Sequence, residues 1–205
     1  MSEQDDAREA VPTAGAAHPA ADDATGAALL AELAAQMGFE CVGVADAAAL
    51  QVNPEVRAMC AADRCRAYGR NWRCPPHCGD LDAFAADIAA HERCVVAQTV
   101  WQLEDEFDVE GMMEAEAQHK RRFTALAEAI RATLGPEAAD LLFLGAGTCT
   151  LCPTCSCPDE PCRRPDEAVT SMEAAGLLVS DVCEAAAIPY NHGPRTIAYT
   201  SCVLG

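Results

Sequence analysis

Apolar residues recur along the chain with two periods, and each switch of period marks an element. Leu30, Leu33 and Met37 stand at i, i+3 and i+7, which predicts a helix, and Gly38 is placed to end it. Phe39–Ala45 (FECVGVA) reads as a short apolar strand. Asp80 can cap a helix whose apolar face is Leu81, Phe84 and Ile88. Cys94–Trp101 (CVVAQTVW) is rich in β-branched residues and predicts a central strand. Phe123, Leu126, Ile130 and Leu134 continue at helical spacing, so one long helix is expected over Val109–Leu134, closed by Gly135-Pro136. Asp140–Gly147 (DLLFLGAG) has the pattern of a buried strand. A mixture of helix and turn is expected over 166–176, then a helix over Asp181–Ala187 capped by Ser180 and stopped by Pro189. Ile197–Leu204 (IAYTSCVL) makes a last strand. Together these predict a single α/β (α+β) domain over residues 26–205. Its central mixed sheet comes from about 41–45, 94–101, 140–147 and 197–204, with flanking helices and two cysteine-rich loops that should lie near one another at one end of the sheet. Residues 1–25 are acidic, alanine-rich and proline-containing, the pattern of a disordered acidic tail.

Composition narrows the class. The chain has 205 residues, 51% of them hydrophobic, enough for one buried core. Its formal charge of −18 argues against nucleic acid, which demands a basic footprint, and favours a partner with a basic surface. Residues 1–25 lack the basic and apolar regions of a secretory signal. No apolar run approaches the roughly 20 residues a membrane helix needs. Thirteen cysteines, an odd number, cannot all pair internally. A soluble cytoplasmic protein with reduced thiols is expected.

The charges are also unevenly placed. Lys120 is the only lysine among fourteen bases. Arg57, Arg64, Arg66, Arg70 and Arg73 surround one cysteine group, and Arg163 and Arg164 adjoin the other. These arginines either pair with nearby acids or lower the pKa of the thiols beside them. Residues 104–116 carry seven acids and no base, which makes either a solvated helix face or a docking surface for a basic redox partner.

The chemistry lies in two cysteine groups. Cys149, Cys152 and Cys155 form an uninterrupted CxxCxxC string, with Cys157 close behind and Cys162 after it. Thiols at every third position let a short loop wrap one inorganic core, so Cys149, Cys152, Cys155 and Cys162 are the expected ligands of a four-iron cluster (4Fe-4S). Zinc, whose ligands usually come in pairs from two knuckles, is the alternative. Cys157 is either a substitute ligand or a free thiol. The first group is Cys60, Cys65, Cys74 and Cys78, with Pro75, Pro76 and His77 before the last. Its spacing is less regular, and an iron–sulfur cluster, zinc or a metal-free thiol pocket all remain open. Tyr68 and Trp72 are core aromatics or shields for the site. Cys41, Cys94, Cys183 and Cys202 lie in apolar strand or helix contexts and read as buried structural cysteines. The histidines outside the first group are scattered, without metal-ligand spacing.

The stretches VRAMCAADRCRAYGRNWRCPPHC and GAGTCTLCPTCSCPDEPCRRPDEAVTSMEAAGLLV together resemble the predicted metal-binding family called domain of unknown function 2284. The resemblance covers most of the chain after about residue 26. It implies metal binding, iron–sulfur in kind, and no known reaction. It rests on Cys60, Cys65, Tyr68, Gly69, Cys74, Pro75 and Pro76, and on Cys149, Cys152, Cys155, Cys162, Arg163, Pro165, Ser171, Met172, Glu173 and Gly176. Cys78 and Cys157 are not part of the family's pattern, so either Cys78 completes the first site here or one metal corner stays open. Thr170 replaces a proline that often precedes SMEA.

Three functions follow as expectations. The first is an iron–sulfur electron carrier with one or two clusters. The second is an iron–sulfur enzyme with an open corner at Cys60, Cys65 and Cys74, where Arg70, Arg73 or His77 would take an anionic substrate. The third is a zinc-stabilised interaction module.

Overall fold

A computed structural model describes residues 23–205, with side chains from Gly26 onward; the tail expected over 1–25 lies, for residues 1–22, outside the described part. Among the described residues the chain forms five α-helices and a five-stranded mixed sheet. The order is α1 (Asp23–Gln36), β1 (Cys41–Asp46), α2 (Pro54–Ala58), α3 (Leu81–Ala89), β2 (Arg93–Gln102), α4 (Val109–Leu134), β3 (Leu142–Gly145), β4 (Thr170–Ser171), α5 (Val179–Ala185) and β5 (Thr196–Leu204). The sheet runs β1-β2-β5-β3-β4, antiparallel except for the parallel pair β3 and β4.

The alternation of β2 explains the layering. Cys94 and Val96 pack into a cluster with Ile88 of α3, Leu144 of β3, Val182 of α5 and Leu177. Val95 and Ala97 point the other way, into a cluster with Leu30 of α1 and Phe123, Leu126 and Ile130 of α4. Helices therefore cover both sheet faces, which is why this strand is apolar at almost every position rather than at every second one. Leu126 and Ile130 are essentially fully buried, so truncating either to alanine costs about 2–5 kcal/mol.

Helix ends follow the local chemistry. Asp80 accepts from the Ala83 N–H at 2.7 Å and starts α3. Asp108 does the same for α4 through the Gly111 N–H at 2.8 Å, and Gly135 ends that helix. Ser180 does not cap α5. It lies inside the helix, which starts one residue earlier, after Leu178, with no side-chain cap. Residues 166–176 hold no helix; instead Thr170 and Ser171 pair with Leu144 and Gly145 as β4, a strand of two residues that no periodicity can reveal. Cys41 is only partly buried, because β1 is an edge strand; Cys94, Cys183 and Cys202 are sealed in the interior.

The parallel pair positions the cysteines. A parallel connection needs a crossover, usually a helix. Here the crossover is residues 146–169, the second cysteine loop. The first loop is held to the same sheet edge, because Val52 bridges Leu177 and the Asn53 N–H donates to Gly176 O at 2.8 Å. Among the described residues no helix is long and apolar enough to cross a membrane.

On the α1/α4 face, His119 is completely buried between Thr99 Oγ1 at 3.0 Å and Ser201 Oγ at 2.7 Å. Burial, with Lys120 and Arg122 adding to it, pulls its pKa down to about 3. The folded protein thus refuses a proton that the unfolded chain takes up near pH 6.5. As pH falls from about 6.5 toward 3, His119 should erode stability by up to about 1.4 kcal/mol per pH unit. Denaturant titrations at several pH values should show a shallower fall for His119→Gln than for wild type. Equal slopes would contradict a neutral, buried imidazole.

Candidate metal centre

The second loop is shaped by a close approach at its start. Gly147 has φ +64°, a left-handed conformation that favours glycine, and a Cβ there would lie 2.9 Å from Glu116 Oε1 of α4, whose side chain would have to move. Beyond it the loop folds back on itself. Arg163 Nη1 donates to Thr154 O at 3.0 Å, Arg164 Nη1 to Leu151 O at 3.3 Å and Ser156 Oγ to Pro161 O at 2.8 Å. These bonds return Cys162 across the CxxCxxC string. Cys149, Cys152, Cys155 and Cys162 then line one small cavity, together with Asn71, Trp72, Arg73 and Arg164. Cys157 is buried outside that lining.

The first loop is tighter. Asn53 caps α2, whose first residue is Pro54. Asp63 takes a left-handed turn between Cys60 and Cys65 and accepts from the Tyr68 N–H at 2.9 Å. The Gly69 N–H then donates to Pro75 O at 2.9 Å, which closes the loop before Cys78. Cys60, Cys65 and Cys78 all come within electrostatic reach of Cys74. Burial pushes the Cys74 thiol up to about 12, with Cys65, Cys78 and Cys60 adding to the rise and a hydrogen bond with Thr148 opposing it. Burial also raises Cys60, with Cys65, Glu173 and Cys78 adding and Arg57 opposing. Cys78 is raised by burial against the pull of Arg57 and Arg73. Arg57 Nη2 donates to Cys78 Sγ at 3.1 Å and to Gly79 O.

The two loops interlock. Asn71, which is buried, donates from Nδ2 to Thr148 Oγ1 at 3.2 Å and to Cys149 O at 3.0 Å. Trp72 Nε1 donates to Glu160 O at 2.9 Å, and Arg73 Nη2 to Pro165 O. Trp72 therefore walls the second cavity although it belongs to the first loop. Its other neighbour is the ring of His77, which is exposed and packs edge-on at 5.2 Å.

Two buried polar atoms at these sites have no hydrogen-bond partner among the described residues: Arg73 Nε and Glu173 Oε2. Interiors rarely leave such groups unpaired. A donor orphaned beside thiols fits an additional acceptor there, such as sulfide or thiolate. The donor set is soft sulfur throughout, which suits iron–sulfur clusters or zinc. Among the described residues no three His, Cys, Asp or Glu side chains close on a single ion position. A further cavity opens between α4 and residues 145–151, with Lys120, Thr124, Arg131 and Ser201 on its walls.

Sequence reasoning left three contributors without a role. Glu173 acts on Cys60 through β4 and the turn after it. Asn71 and Thr148 join the loops across 77 positions. None has a periodic or spacing signature; only the SMEA stretch marked Glu173 at all.

The fold and the site define an α+β protein with two cysteine-rich loops interlocked at one sheet edge. The chain belongs to the predicted metal-binding protein family termed domain of unknown function 2284, whose model matches residues 44–204. No curated protein and no solved structure matches it.

In the metal-free protein, the raised pKa and burial of Cys74 should make it far slower to alkylate at pH 8 than exposed Cys65. Peptide-resolved alkylation followed by mass spectrometry reads both rates. Equal rates would contradict the packing of the first loop.

Proposed function

We propose that the protein is an iron–sulfur electron carrier with up to two four-iron clusters. Cys60, Cys65, Cys74 and Cys78 hold one, and Cys149, Cys152, Cys155 and Cys162 hold the other. The observation that carries this reading is the convergence of all four thiols of the second group on one small cavity. Zinc ligands usually come in pairs from two knuckles, whereas three of these thiols stand in one uninterrupted CxxCxxC string. Four cysteines around a larger core are the usual arrangement for an iron–sulfur cluster, which supplies single-electron redox chemistry when bound.

The surrounding residues suit that use. Trp72 and the loop carbonyls pinned by Arg163 and Arg164 shield the sulfurs from water. Arg73 offsets negative charge next to them. The hydrogen bonds from Asn71 tie the two sites into one rigid unit, which keeps the distance between them fixed.

A docking surface for a redox partner with a basic surface lies at the start of α4. Phe107, Val109 and Met113 are exposed there among Glu104, Asp105, Glu106, Glu110 and Glu114. An apolar centre with a charged rim is the usual anatomy of a protein interface. At 1.5 Å rise per residue, Met113 is about 10 Å along the helix from Lys120, and Lys120 lies against Gly147 at the entry of the second loop. A partner docked on this face would approach the second site rather than the first. The thirteen free thiols suit the reducing cytoplasm.

A second reading is an enzyme with an open metal corner at the first site. The bond from Arg57 to Cys78 favours it, because it gives Cys78 a partner other than metal. Against it, Cys60 and Cys74 both sense the charge of Cys78. A zinc module remains the reading to which elemental analysis would point if iron were absent.

Iron counting on anaerobically reconstituted variants separates these cases. Wild type should hold about eight irons per chain and Cys155→Ser about four, while Cys157→Ser should match wild type. Cys78→Ala should lose the first cluster; full retention would favour the open corner. No iron in wild type would overturn the electron-carrier reading.

A further inference from the structure

Arg73 belongs to the first loop and lines the cavity of the second cysteine group. It precedes Cys74 in the first loop, yet its side chain crosses to the second. Its Nη2 donates to Pro165 O, and its backbone N–H donates to Asn71 Oδ1 at 2.9 Å, which places the residue beside the joint between the loops. It lines the cavity of Cys149, Cys152, Cys155 and Cys162. It also lines a separate cavity together with Cys78. Its Nε is buried with no acceptor among the described residues.

The neighbouring arginines are more local. Arg57 is tied to Cys78 and Gly79 on the first loop. Arg164 lines only the second cavity and is paired with Glu167. Arg163 is bound to the carbonyl of Thr154.

We propose that Arg73 is a cation shared by the two sites, so that one guanidinium sets the reduction potentials of both. The proposal rests on the reading that both cysteine groups hold iron–sulfur clusters. Reduction of either site brings in one electron from the partner and adds one unit of negative charge, with no bond made or broken. A fixed positive charge at the boundary favours both reduced states. The orphaned Nε–H supplies one further hydrogen bond to sulfur, and hydrogen bonds to the sulfurs are among the features that set cluster potentials. Arg73 is thus a positioning and tuning residue and takes no part in binding iron.

The test is an anaerobic redox titration of the full chain with dithionite, followed by EPR, after iron and sulfide have been counted. Arg73→Gln should lower both potentials. At a fixed applied potential each site should be about tenfold less reduced, a fall of about 59 mV for a one-electron couple. Arg73→Lys should keep both sites within about threefold of wild type, because it retains the charge. Arg57→Gln should move the first site alone. Arg121→Gln, on an exposed pair with Glu114, should move neither.

If Arg73→Gln holds full iron and shifts one potential or none, the shared-cation proposal is overturned while the two-cluster reading stands. If wild type holds no cluster, the two-cluster reading falls and takes the proposal with it. If Arg73→Gln fails to load, Arg73→Lys decides. Full loading with potentials near wild type supports the role of charge, and failure of both variants would show that Arg73 serves packing alone.

Discussion

The amide of Asn71 joins two segments that the sequence keeps far apart. Its Nδ2 reaches the carbonyl of Cys149 and the hydroxyl of Thr148, while its Oδ1 receives the backbone N–H of Arg73. One buried side chain therefore fixes the first loop, the start of the second and the arginine between them. A buried amide left without these partners would cost about 1–3 kcal/mol per unsatisfied group, so the loops have little freedom to separate. Everything else at the site depends on this contact: Trp72 covers the second cavity, Thr148 hydrogen-bonds to Cys74, and Arg73 faces both groups of thiols.

The electrostatics of the site point in one direction. Burial disfavours the thiolates that a metal requires, and Cys65 and Cys78 oppose ionisation of both Cys60 and Cys74. Bound metal reverses the balance, because its positive charge favours every thiolate at once and its binding releases their protons. The arginines contribute part of that charge in advance. A site assembled from partly desolvated thiols beside an unpaired guanidinium Nε is poorly suited to stand alone.

Much of this was legible in the sequence because it is written in local pattern. The span of α4, the Asp80 cap and the strands β1, β2, β3 and β5 follow from periodicity and from capping chemistry that acts over a few residues. The CxxCxxC string pointed to thiols gathered in one place, and Cys149, Cys152, Cys155 and Cys162 line one cavity. What the sequence hid is what depends on contacts across the fold. The two-residue β4 exists only because Leu144 and Gly145 offer it an edge. The start of α5 is set by packing rather than by the hydroxyl of Ser180. The edge position of β1, which leaves Cys41 partly exposed, is a property of topology. Likewise no spacing rule could show that Trp72 and Arg73, more than seventy residues before the first second-loop cysteine, would wall the second cavity.

The central claim is that these loops enclose iron–sulfur clusters rather than single metal ions. X-ray absorption at the iron and zinc edges of anaerobically purified protein tests it most directly. The account predicts an iron edge with sulfur neighbours and a short iron–iron scattering path. A zinc edge alone, with four sulfurs at about 2.3 Å and no metal–metal path, would contradict it.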